Sequence, residues 1–123
     1  MTAPREYHVG MIVPSSNLTM ETELPRILAR VTEADPSRRF VVHSARARMR
    51  HVTPEQLRAM NAEAERAAAG LADARPDVVA TACLVAIMAQ GPGYHATAEE
   101  SVAAVLRSEG ALLRDDLAAE AVR

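Results

Sequence analysis

The sequence predicts an α/β fold, a three-layer βαβαβα domain whose helices wrap a parallel sheet. Three short apolar runs rich in β-branched residues, at positions 8–13, 39–45 and 77–82, read as buried strands. Longer stretches with helical periodicity separate them, and another follows the last run. Strands that alternate with helices through connections of normal length are the pattern of right-handed crossovers onto one parallel sheet. At 123 residues the chain suffices for one hydrophobic core and not for two.

Residues 1–7 read as a leader and 8–110 as the α/β domain. The first strand, H-V-G-M-I-V, is apolar enough to be buried on both faces, and Gly10 within it marks a close backbone approach. Pro14-Ser15-Ser16-Asn17 is a turn, after which Ser16, Asn17 and Thr19 all suit a helix cap. The helix spans about residues 20–31. Glu21 and Glu23 favour its positive end, and Pro25 limits how early its regular part begins. Asp35-Pro36-Ser37 is a loop, and the second strand centres on Phe40-Val41-Val42. Beyond it Arg46, Arg48 and Arg50 alternate, so in an extended chain they share one face, either an anion-attracting edge or a solvated or subunit-facing one.

Thr53-Pro54-Glu55-Gln56 combines a cap, a proline at the first helical position and a glutamine three residues after the cap. This second helix runs to about residue 74, with Leu57, Met60 and Leu71 toward the core and Gly70 a weak spot. The third strand ends at Cys83, residues 84–89 begin a helix, and Gly91-Pro92-Gly93 breaks the chain. Thr97 and Glu100 form a capping-box pattern for the last helix, amphipathic through Val102, Val105 and Leu106 and stopped by Gly110. Residues 111–123 are a tail of strong helix formers without a β-branched run.

Composition removes several function classes. The chain is 49% hydrophobic with a net charge of -2, which suits a folded core and gives no electrostatic footprint for nucleic acid. A single cysteine excludes an intrachain disulfide framework and suits a reducing cytoplasm. No apolar run has the length of a membrane span, and no signal-type h-region follows Met1. All 14 basic residues are arginine; without lysine there is no Schiff base, no pyridoxal anchor and no Walker A contact. His8, His43, His51 and His95 lack the i, i+4 spacing of a helical metal site, so no metal centre is expected.

All three β→α turns of such a fold open on one edge, at residues 14–17, 46–52 and 83–95. A thiol at the carboxyl end of a parallel strand, facing a helix amino terminus, sits where α/β sheets bind ligands. Unpaired amides there favour a thiolate and can also hold a carboxylate. On the residues alone a second reading stands beside this one, since free cysteine also packs as a small hydrophobe. Tyr94 and His95 follow the Gly-Pro-Gly bend as either an acid/base pair or a loop closing over the sheet edge. Ser15 and Ser16 lack a G-x-S-x-G setting and a partnered His–Asp pair, so they read as anion-binding or capping residues. His43 and His51 read as structural or surface groups.

Three segments in register then narrow the field. V-G-M-I-V-P-S-S-N-L-T-M-E-T-E-L-P (9–25), H-S-A-R-A-R-M-R-H-V-T (43–53) and A-C-L-V-A-I-M-A-Q-G-P-G-Y-H (82–95) closely resemble the maleate cis-trans isomerases of the aspartate/glutamate racemase superfamily. The resemblance covers the amino-terminal half of that fold and implies cofactor-independent conversion of a small dicarboxylate, maleate, to fumarate. It makes Cys83 the nucleophile and assigns the substrate carboxylates to the amides at Leu84 and Val85 and to the side chain of Asn17. Family members carry two similar halves, with the site between them and a second cysteine from the other half. This chain has one cysteine, so the resemblance also implies pairing with a second half-domain or with another copy of the chain. Cysteine-based racemases and decarboxylases of the same superfamily are the alternative chemistry. A non-catalytic half-domain that binds a dicarboxylate or another subunit is the alternative of a different class.

Overall fold

The first strand of the chain is the middle strand of the sheet. In the computed structural model, which describes residues 2–110, β1 (Arg5–Pro14) is followed by α1 (Met20–Ala34), β2 (Arg38–Ala47), α2 (Pro54–Ala72), β3 (Val78–Thr81), α3 (Leu84–Met88) and α4 (Tyr94–Ser108). The strand order is β2-β1-β3, and both pairings are parallel. The α/β fold with a parallel sheet is therefore as expected, and the helix expected to begin after Cys83 is the short α3.

Side chains alternate across the sheet and give it two different faces. Gly10 and Ile12 of β1, with their partners His43, Ala45 and Val79, look toward α2. A Cβ built on Gly10 would meet Val79 at 3.1 Å and Leu71 of α2 at 3.4 Å, which is the close approach that the glycine predicted. The core on this side joins Ile12 and Ala47 to Leu57, Met60, Ala68 and Leu71 of α2, Ala86 of α3, and Val102 and Leu106 of α4. Burial of each large member contributes about 1.5–3 kcal/mol. The expected core positions Leu57, Met60 and Leu71 are all there. On the opposite face Met11 and Val13 are fully buried, yet α1 buries no residue completely and a groove lined by Leu28, Ala29, Phe40 and Val42 separates it from β2.

Several boundaries move for identifiable reasons. The strand expected at residue 8 starts at Arg5, so only residues 2–4 of the described part of the leader stay outside it. Tyr7 pairs with Phe40 and stacks on it at 5.5 Å, and the Arg5 guanidinium lies 4.9 Å from the Tyr7 ring. Cross-strand ring and cation–π contacts thus extend a strand through residues whose polarity argued against it. Pro25 lies inside α1, five residues after its start, and leaves the Glu21 carbonyl without its usual amide donor. The last helix opens at Tyr94 behind Gly93, whose φ is 82°, so Thr97 is inside the helix and forms no capping box. Glycine takes that left-handed geometry at low cost, and the bend itself starts the helix. At α2 the Thr53 hydroxyl does cap, accepting from the Gln56 amide at 3.3 Å. The helical tail expected over 111–123 lies outside the described residues.

His8 and His43 are part of the sheet and stack at 5.1 Å, with Nδ1 of His8 2.8 Å from Nε2 of His43. The Asp77 carboxylate accepts from the His8 amide at 2.8 Å and ties the start of β3 to β1. No helix among the described residues is long and apolar enough to cross a membrane.

The two interior glycines make opposite predictions. Nothing lies within 4 Å of a Cβ at Gly70 in the exposed flank of α2. Gly70→Ala should therefore stabilise the fold by about 0.5–1 kcal/mol, while Gly10→Ala should lower stability by pressing on Val79. Urea melts of the two variants against the parent check both signs.

Candidate functional site

The strand order decides where a ligand can sit. From β1 the chain crosses to one side to make β2, then returns past β1 to make β3 on the other. The connections therefore diverge between the carboxyl ends of β1 and β3, the position where open α/β sheets form a ligand crevice. Asn17 lies in the loop leaving β1, and Cys83 lies two residues past Thr81, which pairs with Ile12 of β1.

At Cys83 the backbone leaves the sheet. The Ala82 amide still donates to the Ile12 carbonyl at 2.8 Å, and Cys83 then turns with φ -144° and ψ 87° to begin α3. Its thiol is free and half-buried against the edge of the core cluster. The turn is held from below, because Ala86 is fully buried and its carbonyl accepts a 2.8 Å bond from the Asn61 carboxamide of α2. The first amides of a helix have no acceptor within it, and those of Leu84 and Val85 donate no hydrogen bond among the described residues.

The β1 loop is tied by directional bonds. The Asn17 amide donates to the Pro14 carbonyl at 2.9 Å, closing residues 14–17 into a turn. The Ser15 hydroxyl accepts from the Met49 amide at 2.9 Å and donates to the Met49 carbonyl at 3.2 Å, so Ser15 latches the β1 loop to the β2 loop. Asn17 Oδ1 accepts from the amides of Thr19 and Met20, both at 3.0 Å. Of the three candidate caps, Asn17 is therefore the one that caps α1; the Thr19 side chain makes no cap bond. With Oδ1 committed as acceptor, Nδ2 of Asn17 keeps its donors free of partners among the described residues. Ser16 is exposed beside it.

The arginine series separates. Only Arg46 belongs to β2, and its guanidinium donates to the Ser15 carbonyl at 2.9 Å, to the Asn17 carbonyl at 3.3 Å and to the Glu21 carboxylate. Arg48 and Arg50 leave the strand, and their amides are bound by the side chains of Glu63 and Gln56 respectively. Their alternation therefore makes no continuous cationic edge. The structural role of Arg46 was hidden in a pattern that suggested only surface charge, and that of Asn61 left no signal in the sequence. Tyr94 and His95 open α4, where His95 lines a groove between β3 and α4 together with Thr81, Ile87 and Leu106. Cys83 and Asn17 line neither that groove nor the one beside α1.

Large exposed apolar side chains collect at the same edge. Leu18 follows β1, Val52 follows β2, and Leu84, Val85 and Met88 follow β3, each between 53% and 80% exposed. Among the described residues Ile27 is the other large hydrophobic so exposed. The carboxyl edge is thus an open shelf of free donors and one thiol with an apolar rim.

No protein-family model matches the chain. It is 51% identical over 106 residues to a maleate isomerase of Geobacillus stearothermophilus and 49% identical over 106 residues to one of Alcaligenes faecalis. Each match takes in 86% of this chain. The chain is homologous to the maleate isomerases. It spans 42% of the length of these two curated relatives. Among solved structures, a cysteine-to-alanine variant of the maleate isomerase Iso from Pseudomonas putida S16, with maleate, superposes with a TM-score of 0.83 at 47% identity. That match covers 89% of this chain and 43% of the other. A Nocardia farcinica maleate cis-trans isomerase variant carrying a covalently bound succinylcysteine intermediate gives 0.80 at 47% identity, over 89% of this chain and 44% of the other.

Glu63 offers a measurable handle on the β2 loop. Its carboxyl is held below the usual 4.5, first by the hydrogen bond from the Arg48 amide and then by the Arg66 guanidinium. A lowered pKa means that the charged form supports the fold above the usual carboxylate value and that this support is lost as pH falls through the lowered one. Glu63→Gln should therefore melt below the parent at pH 7, with the difference closing as pH is brought under 4.5. Thermal melts across that range check the sign.

Proposed function

We propose that this chain supplies the nucleophilic half of a cofactor-independent maleate cis-trans isomerase. The observation that carries the reading is the placement of its single cysteine, at the carboxyl end of β3 beside free helix amides, in a relative of maleate isomerases. A carbon–carbon double bond does not rotate until it is made single. The Cys83 thiolate adds to one alkene carbon of maleate, forming a C–S bond while the π pair moves onto the neighbouring carbon and into its carboxylate. That carbon takes up a proton to give a succinyl thioether. Rotation about the new single bond, loss of the same proton equivalent and expulsion of the thiolate restore the double bond in the trans form, fumarate. Nothing is oxidised or reduced, and covalent catalysis divides one high barrier into lower ones.

Three donors serve the carboxylates in this reading. The amides of Leu84 and Val85 bind the carboxylate nearer the thiol, and Asn17 Nδ2 binds the other from across the crevice. Donors fixed where negative charge develops stabilise the transition state more than the ground state. The Nocardia enzyme carries its succinylcysteine in a variant with one cysteine replaced by serine, so the adduct there is on another cysteine. In this chain Cys83 is the residue that can carry one. Ser15 supports the loop in this scheme through its bonds to Met49, and Ser16 is exposed beside Asn17. Tyr94 and His95 stay outside the first contacts with substrate. A nucleophile that works as a free thiolate belongs in a reducing compartment, which favours the cytoplasm.

The apolar rim supports a partner over the site. The chain spans 42% of its relatives, and the rim residues are those that a second half-domain, or a second copy, would cover. A covered site excludes water and strengthens the electrostatic stabilisation of a carbanion. The decisive measurement is maleate-to-fumarate conversion by the chain alone and with the remaining part of a maleate isomerase added in trans. We expect activity with the added part and loss of it in Cys83→Ala. Equal turnover by the chain alone would show that no partner is needed. Turnover that survives Cys83→Ala would overturn the thiolate mechanism.

Binding gives a separate check. Asn17→Ala removes both a carboxylate donor and the acceptor for two helix amides. It should weaken maleate binding and also cost about 0.5–2 kcal/mol of stability. Calorimetric titration with maleate and a thermal melt of the same variant measure the two effects. Normal stability with weakened binding would separate Asn17 from the cap, and normal binding would remove it from the site.

A further inference from the structure

We infer that Arg46 is the positioning residue of this site: its guanidinium fixes the loop that aims the Asn17 carboxamide into the crevice. The inference rests on the reading that Asn17 binds a substrate carboxylate. Arg46 pairs with Val13, one position before the β1–β2 register ends at Pro14 and Ala47, close to the loop leaving β1. One of its terminal nitrogens bridges the carbonyls of Ser15 and Asn17 at 2.9 and 3.3 Å, and the other meets the Glu21 carboxylate in the first turn of α1. A single planar group therefore joins both sides of the turn at 14–17 to the helix that the turn leads into. A guanidinium does this because its donors form a rigid fork, whereas an ammonium concentrates its charge at one atom on a flexible stem.

The position of the carboxamide follows from those bonds. Asn17 is held at three points: its amide by the Pro14 carbonyl, its carbonyl by Arg46, and its Oδ1 by the amides of Thr19 and Met20. With these fixed, the side-chain torsions have no freedom left and Nδ2 points along one direction. Without Arg46, two carbonyls and the Glu21 carboxylate lose a common donor, and the Asn17 end of the turn is held only by its bond to Pro14 and its own cap, while Ser15 stays tied to Ala47 and Met49. Three of its five N–H donors are spent on two carbonyls and a carboxylate, so the role assigned to Arg46 is to hold the turn rather than the substrate. An exposed ion pair with Glu21 alone adds little; the bridge across the turn is what matters.

The test uses the full chain labelled with 15N, following the Asn17 side-chain NH2 signal during titration with maleate. In the parent this signal should shift saturably and show the relaxation of an ordered side chain. In Arg46→Ala the NH2 group should become mobile and the dissociation constant for maleate should rise about tenfold, the scale of one lost charge-assisted hydrogen bond. Arg46→Lys keeps the positive charge without the fork, and should fail to restore either property. Glu21→Gln loosens the guanidinium without removing it, and a partial loss of order is expected; it serves as the readout if Arg46→Ala does not fold. An ordered Asn17 NH2 group and parental maleate affinity in Arg46→Ala would overturn the inference. Full recovery by Arg46→Lys would also overturn it, leaving a charge effect in its place. If maleate leaves the Asn17 signal of the parent unmoved, the functional reading of Asn17 fails. The relaxation of that signal in the variants still decides whether Arg46 orients it.

Discussion

Pairing of β1 on both of its edges is the constraint on which the rest of this structure depends. Met11, Ile12 and Val13 have no exposure, and their strand exchanges parallel ladders with β2 and β3 at once. Parallel pairing sends the chain back over the sheet faces through helices, so every strand finishes at the same edge. Gly10 allows Val79 and Leu71 to close over the middle of β1, which brings α2 down on the sheet and gives α3 a surface to bury Ala86 against. The neighbourhood of Asn17 and Cys83, far apart in sequence, is thus a product of topology and packing rather than of any direct bond between them.

The two loops that carry these residues are held by different physics. The turn at 14–17 is fixed by hydrogen bonds to Met49, Ala47 and Arg46 and by the Asn17 cap. Each such bond adds only about 0.5–1.5 kcal/mol net, but losing one strands a polar group and sets a direction free. The turn at Cys83 is fixed mainly by burial, with Ala86 as its anchor and Asn61 as its one side-chain tether among the described residues. Under the proposed reading, directional bonds suit a donor whose angle to a carboxylate matters. Packing, under the same reading, suits a thiol that has to approach a carbon and then withdraw from it.

Much of this was legible in the sequence, and the failures share a cause. Periodicity located the strands around Val9, Val41 and Val79 and the core face of α2 at Leu57, Met60 and Leu71, because burial leaves a regular trace. The P-S-S-N turn and the Cys83 strand end were visible as breaks in that trace. What stayed hidden was the use of polar groups across the sheet. Nothing local distinguishes Arg46, which bridges a turn more than 25 residues away, from Arg48, whose side chain plays no such part. Asn61 on α2 reads as a solvated residue until α3 is laid against it. Strand β1 was cut short at its start for the same reason: Arg5 and Tyr7 look like solvent until Phe40 is beside them. The Thr97 capping pattern failed in the other direction, since a left-handed glycine upstream starts the helix without a side-chain cap.

The carboxyl edge combines an apolar rim with donors that nothing in the described residues satisfies, and the combination has an energetic consequence. The Arg46–Glu21 pair at this edge is still 40% and 37% exposed, so covering it carries a desolvation cost that the mutual attraction of the two charges offsets only in part. The amides of Leu84 and Val85 and the Nδ2 group of Asn17 are different. A body that buried them empty would strand hydrogen-bond donors away from water, at about 1–3 kcal/mol each. Burying Leu18, Val52, Leu84, Val85 and Met88 favours such a cover, and the unpaired donors oppose it. A dicarboxylate removes the opposition by accepting from those donors while the apolar rim closes around it. Under the proposed reading, ligand binding and coverage are then linked, and each must strengthen the other by the same factor. A shelf built this way binds its cover most tightly when the anion is already in place.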